Sequence, residues 1–277
     1  MNQLYCSTGT MVGRINGNNY ELIAPNMKLL LDENLIDGAE FIMIRSYYDK
    51  IPQVIKSVLQ TSVPFPIMHI DKNVGEMLSE CDNSLAKESI IKFEQNCKVA
   101  KEIGSFTLVF HLWGGTKSDS NIVFNISKLP YFIEIANKYD LKLLIENIPC
   151  VRYSGLSNWR KLYSYLPDIE FIFDSRFGAF HDEINDIFDE PIWNHIKHIH
   201  ISDYSSFPRD FSKIHPILHP GEGVIDFNSF FKKLKEKRYS HSITLESPVM
   251  VPDGIEIEKL KESLSYLRKQ IRDVQAQ

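Results

Sequence analysis

Eight short aliphatic segments, spaced through 277 residues with helix-patterned stretches between them, restrict this chain more than any other feature of its sequence. They run Leu4 to Ser7, Ala39 to Arg45, Pro66 to Ile70, Phe106 to His111, Lys142 to Glu146, Glu170 to Asp174, His198 to Ser202 and Ser242 to Glu246. Leu143, Leu144 and Ile145 show the pattern most plainly: a near-continuous apolar run suits a parallel strand buried on both faces. A 3.6-residue apolar rhythm is clearest in Asn83 to Ile103, Ile126 to Tyr139, Asn228 to Arg238 and Ile255 to Val274, and it is weakest after the sixth strand. Strand and helix alternating in this way predict an α/β fold, and eight such pairs in about 250 residues predict a closed (β/α)8 TIM barrel. An open doubly wound sheet is the rival, but STGTMVGR follows the first strand where that fold carries G-x-G-x-x-G. With no repeat, low-complexity segment or Pro/Gly/Ser linker, residues 1–277 read as a single domain.

A barrel turns every strand's C-terminal end toward one mouth, which makes the residues at those ends informative. Glu146 closes the fifth strand, Asp174 the sixth and Glu246 the eighth, and His200 lies near the end of the seventh. Burying an unpaired carboxylate costs many kcal/mol, so these groups need a cation, a metal or an open cleft. Taken singly, each can cap a strand or pair with a lysine or arginine. Together, three carboxylates and one imidazole suit one divalent ion of the Mn, Mg, Co or Zn type.

Other residues fall where a mouth would be, and they are the candidate substrate contacts. His69 and His111 also end strands, and Trp113 with Gly114 and Gly115 offers an aromatic wall with a flexible exit. Arg176 follows Asp174, and Arg209 lies on the long loop Tyr204 to Asp226, each able to hold a substrate oxygen or phosphate. That loop also carries His219 and the run HPGEGVIDF, whose Asp226 is placed to cap the next helix. Asp203 completes an H-x-x-D with His200.

Lys plus Arg number 31 against 36 Asp plus Glu, a net charge of −5, so no nucleic-acid partner is expected. The four cysteines, Cys6, Cys81, Cys97 and Cys150, lack C-x-x-C spacing, and disulfides are not expected. MNQLYCSTGT has neither the basic nor the apolar part of a signal peptide, and no apolar run reaches the roughly 18 residues of a membrane span. A cytoplasmic location, no membrane partner and a small-molecule substrate are the expectations that follow, with homo-oligomerisation left open.

IEN at the fifth strand, the sixth-strand aspartate, HISD, PGEG-V-IDF and ITLES resemble the xylose isomerase-like barrel superfamily, which includes sugar phosphate isomerases/epimerases, ketose 3-epimerases and endonuclease IV-type nucleases. The resemblance implies a metal held by Glu146, Asp174, His200 and Glu246. It also implies that Glu146 and Glu246 are catalytic, exchanging a proton beside a sugar or related carbonyl. An endonuclease IV-like phosphodiesterase and a non-catalytic small-molecule-binding barrel are the alternatives. The chain departs from the superfamily pattern at Phe177, where many relatives carry histidine, and in NIPCVRYSG, where ketose epimerases commonly place an acidic contact and this chain has Arg152. The loop RDFSKIHPILHPGEG also lacks the D-x-H of the nuclease. The expectation is therefore a mononuclear site, with His69 and His111 lining the cavity.

Overall fold

The apolar segments become strands in a computed structural model that describes residues 2–275. They are β1 (Leu4–Ser7), β2 (Gly38–Ile42), β3 (Ile67–His69), β4 (Thr107–Phe110), β5 (Lys142–Glu146), β6 (Glu170–Asp174), β7 (Ile196–Ile201) and β8 (Ser242–Leu245). All pair in parallel in the order β1 to β8, and β8 returns to β1 to close the barrel. The expected TIM barrel is the fold observed. Strand ends shift by a few residues where another local structure wins: the segment expected to run to Arg45 stops at Ile42, because Arg45–Lys50 winds into a 3-10 helix.

The helices are α1 (Ile23–Asp32), α2 (Ile51–Val58), α3 (Asn73–Ser79), α4 (Asn83–Glu102), α5 (Ile122–Lys138), α6 (Gly155–Tyr165), α7 (Ser175–Phe180), α8 (Phe227–Glu236) and α9 (Ile257–Gln275). The weak pattern after the sixth strand corresponds to α7, which has only 6 residues. Helix α5 starts at Ile122, four residues earlier than its apolar rhythm from Ile126 suggests. Among the described residues no helix is long and apolar enough to cross a membrane.

The two-residue period of a strand sorts the side chains. On β5, Leu143 and Ile145 face outward into the large core beneath the helices, while Leu144 faces inward with Tyr5, Ile67, Val109 and Ile172. The outer core is closed by aromatic packing: Trp159 of α6 stacks on Phe171 of β6 at 4.5 Å, and Phe93, Phe110 and Phe132 join α4, β4 and α5. The inward row has a direct consequence for function. Residues two places beyond those inner apolar groups, including His69, His111, Glu146 and Asp174, point into the same central space at the C-terminal end.

Candidate metal centre

Glu146, Asp174, His200 and Glu246 converge. Each contributes one oxygen or nitrogen to a group whose members all lie within 4.8 Å of one another. His200 Nδ1 is 3.0 Å from Glu146 Oε1 and 3.3 Å from Glu246 Oε2. Glu146, Asp174 and His200 are almost wholly buried, whereas the Glu246 side chain keeps 15% of its exposure and faces the mouth.

The electrostatics couple these groups to one another and to their neighbours. Burial disfavours the charge on His200, yet Glu246, Glu40 and Glu146 hold its pKa well above the ordinary histidine value. Burial also opposes ionisation of Glu146, but His111, His200 and His69 keep its carboxyl well below the usual range. Glu246 is held down chiefly by His200, again against burial. Asp174 goes the other way. Burial pushes it up to about 7, with Glu146 and Glu246 adding to the rise and Arg176 opposing it.

Asp174 Oδ1 accepts the backbone N–H of Phe177 at 2.8 Å and caps α7. Asp174 Oδ2, also buried, has no hydrogen-bond partner among the described residues. A buried oxygen without a donor, set beside two further carboxylates and an imidazole nitrogen, fits a divalent cation. The donor set of three carboxylates and one histidine suits Mn, Mg, Co or Zn.

His69 and His111 stand closer to this group than cavity-lining residues need to. His111 Nε2 is in contact with Glu146 Oε2, and His69 Nε2 lies 3.4 Å from the same oxygen, so these two and Glu146 form a second set with ligand geometry. His69 Nδ1 is 2.8 Å from its neighbour's carbonyl at Ile70, which leaves Nε2 for a ligand. Burial holds His111 down to about 4, against the opposing pull of Glu146.

The remaining expected contacts divide. Arg176 is buried behind Asp174, donates from Nη1 to the Ile214 carbonyl at 3.0 Å and lies over the Phe177 ring. Arg209 is exposed and donates to the Tyr153 carbonyl, tying together two loops at the mouth. Trp113 and His219 are engaged elsewhere. The Trp113 ring is fully buried in the main apolar core, not presented as a wall. His219 has both nitrogens engaged, Nδ1 with Ser263 Oγ at 2.7 Å and Nε2 with the Pro248 carbonyl at 3.2 Å, so it braces α9. His181 does not replace the histidine missing at Phe177, because its Nε2 accepts the Cys150 backbone N–H at 3.0 Å.

HISD and PGEG are joined in space by Asp203. Its buried carboxylate accepts the backbone N–H groups of Tyr204, Gly221, Gly223 and Ile225 at 2.8 to 3.1 Å. A Cβ on Gly223 would sit 2.2 Å from the Tyr204 carbonyl, and Gly221 has φ +93°, so both glycines are dictated by this turn. The motif acts as a latch that fixes the loop beyond β7.

Sequence reasoning missed Glu40, His198 and Thr244, which meet inside the barrel on the N-terminal side of His200. The signal was present: Glu40 interrupts the apolar run GAEFIMI, and His198 lies two residues before His200 on the same strand face. A cavity of about 510 Å³ opens at the opposite, N-terminal end, lined by Gln3, Tyr5, Lys142, Lys197 and His198 among others, and none of the four clustered ligands reaches it.

The xylose isomerase-like TIM barrel family model matches residues 37–270. Among solved structures, a D-tagatose 3-epimerase-like protein superposes with TM-score 0.70 at 18% identity, covering 99% of this chain and 98% of its own. The 3-keto-D-glucoside 4-epimerase of E. coli gives 0.65 at 16%, covering 97% and 100%. IolI protein with a bound zinc atom gives 0.68 at 17%, covering 98% and 97%. At these identities the structures share a fold. Comparison with curated protein sequences gives no match. With the matched region spanning most of the eight-strand ring and both halves of the carboxylate cluster, the chain belongs to the xylose isomerase-like TIM barrel family.

Proposed function

We propose that this protein is a divalent-metal-dependent isomerase or epimerase acting on a sugar or a sugar-like polyol ketone or keto acid. One observation carries the reading: Glu146 of β5 and Glu246, just beyond β8, approach the same nitrogen of His200 from strands three places apart in an eight-strand ring. Two carboxylates so placed can address two sides of one bound carbon. The sugar epimerases among the structural neighbours support the substrate class.

A divalent ion held by Glu146, Asp174, His200 and Glu246 would supply Lewis-acid polarisation of a carbonyl and its neighbouring hydroxyl. The acid–base work falls to the protein. One glutamate takes the proton from the carbon beside the carbonyl, breaking the C–H bond as its electron pair moves toward the carbonyl. Return of a proton by the other glutamate to the opposite face of that carbon inverts it; return to the adjacent carbon, with a hydroxyl proton moved in step, isomerises the sugar. His200, on β7, sets its Nδ1 against both bases and fixes their positions. Burial of Glu146 excludes water from one side, and the partly exposed Glu246 meets the substrate side.

A second reading has a specific observation in its favour. The set His69, His111 and Glu146 shares Glu146 with the first and could hold another ion, as a two-metal phosphodiesterase requires. Phe177 and the absent D-x-H count against the nuclease form. Metal stoichiometry followed by a thermal-shift screen separates the readings. Stabilisation of the metal-loaded protein by ketoses or keto-sugars, with conversion of one of them, supports the isomerase; two or three tightly held ions and cleavage of an abasic duplex overturn it.

A further inference from the structure

The barrel interior is apolar on most of its circumference, where Tyr5, Ile67, Val109, Leu144 and Ile172 meet. In that same layer, where Glu40 pairs in register with Ile67, the sides formed by β2, β7 and β8 are polar, and their polar groups converge on a single atom. Glu40 Oε2 lies 3.0 Å from His200 Nε2 and 3.1 Å from His198 Nε2, and it accepts the Thr244 hydroxyl at 2.9 Å. His198 Nδ1 in turn lies 2.7 Å from Ser242 Oγ. Glu40, His198, His200 and Thr244 are all fully buried.

A buried carboxylate with this many donors is expensive to form, and apolar residues of similar volume usually serve stability at least as well. The five inward apolar side chains show that this barrel accepts them elsewhere. Something other than stability accounts for a charge at Glu40. Its geometric effect is on His200: with Nε2–H donated to Glu40, Nδ1 is the nitrogen turned toward Glu146 and Glu246 and the one available to a metal. His198 and Thr244, acting on the same oxygen, keep the Glu40 carboxylate from turning away.

We infer that Glu40 is the positioning residue of the metal centre, fixing both the tautomer and the orientation of His200 from inside the barrel, with His198 and Thr244 as its supports. The inference rests on the metal-centre reading and adds to it a residue outside the ligand set.

The test uses the full-length protein, stripped of metal and titrated with Mn²⁺ and Zn²⁺ against a competing chelator, comparing wild type with Glu40→Gln. Glutamine keeps the volume and one acceptor oxygen but removes the charge and adds an N–H₂ group that can face His200. The expected result is metal binding about 10- to 100-fold weaker in the variant, with a native circular-dichroism spectrum. Imidazole ¹⁵N spectra of the metal-loaded wild type supply a second readout that needs no variant: His200 should carry its proton on Nε2 and bind metal through Nδ1. A wild type that binds metal while His200 shows the opposite arrangement overturns the inference, and so does a folded Glu40→Gln protein with wild-type metal affinity. A wild type that binds no metal overturns the metal-centre reading and this inference with it.

Discussion

His200 Nδ1 stands 3.0 Å from Glu146 Oε1, a contact between β7 and β5 made across the mouth of the barrel. That contact joins two buried groups shifted in opposite directions, His200 upward and Glu146 downward. A divalent ion is expected to take over the cationic role and stabilise the fold, by about 2.7 kcal/mol when free metal is 100 times Kd. Thermal or denaturant unfolding with and without Mn²⁺, Mg²⁺, Co²⁺ and Zn²⁺ reads this directly. Asp174→Ala should abolish most of the metal-dependent gain, and an equal gain in that variant would remove Asp174 from the ligand set.

Glu146→Gln and Glu246→Gln keep side-chain volume and one oxygen but lose the base. Once a converted sugar is found, each should lower kcat by roughly 10²- to 10⁴-fold while substrate binding persists. Turnover near wild type in both, with metal bound, would rule out the paired-glutamate mechanism.

Asp203→Ala removes one buried carboxylate and leaves four backbone donors facing it without a partner. Stability should fall by about 3 kcal/mol or more, seen as a lower denaturant midpoint with little change in m. Proteolysis is expected to shift toward the loop around Gly221 and Gly223. A loss below about 0.5 kcal/mol would show that the latch contributes little.

The contact between His181 and the Cys150 N–H gives a pH dependence of defined sign. Burial, with Arg209 adding, lowers His181 from the ordinary histidine value of 6.5 to about 4. The unfolded chain takes the proton first as pH falls. Stability from the neutral imidazole is therefore full above about pH 6.5 and is lost as pH drops toward 4, with a slope of up to about 1.4 kcal/mol per pH unit. Unfolding of His181→Gln across this range should show a shallower slope than wild type. Parallel curves would mean that His181 titrates alike in both states.

With a net charge of −5, the protein should show no tight, salt-sensitive affinity for duplex DNA at physiological salt. Electrophoretic mobility or anisotropy with intact and abasic duplexes checks this, and strong binding with a steep salt slope would favour the phosphodiesterase reading.

The sequence by itself determined the barrel and the residues at its mouth. Apolar runs such as Leu143 to Ile145 can be satisfied only between two apolar layers, and eight of them alternating with helices leave few architectures. Once strands are placed, their two-residue period and shared direction bring Glu146, Asp174, His200 and Glu246 together, because strand-end position is a local property that the barrel makes common. Tertiary structure alone decided what each polar group touches. Trp113 and His219 lie near the mouth in sequence, yet one packs into the outer core and the other braces Ser263 on α9, contacts set by helices distant in the chain. The role of Glu40 is the clearest case. It meets His198 and His200 from 158 and 160 residues away, through the hollow of a ring that exists only when β8 has closed on β1.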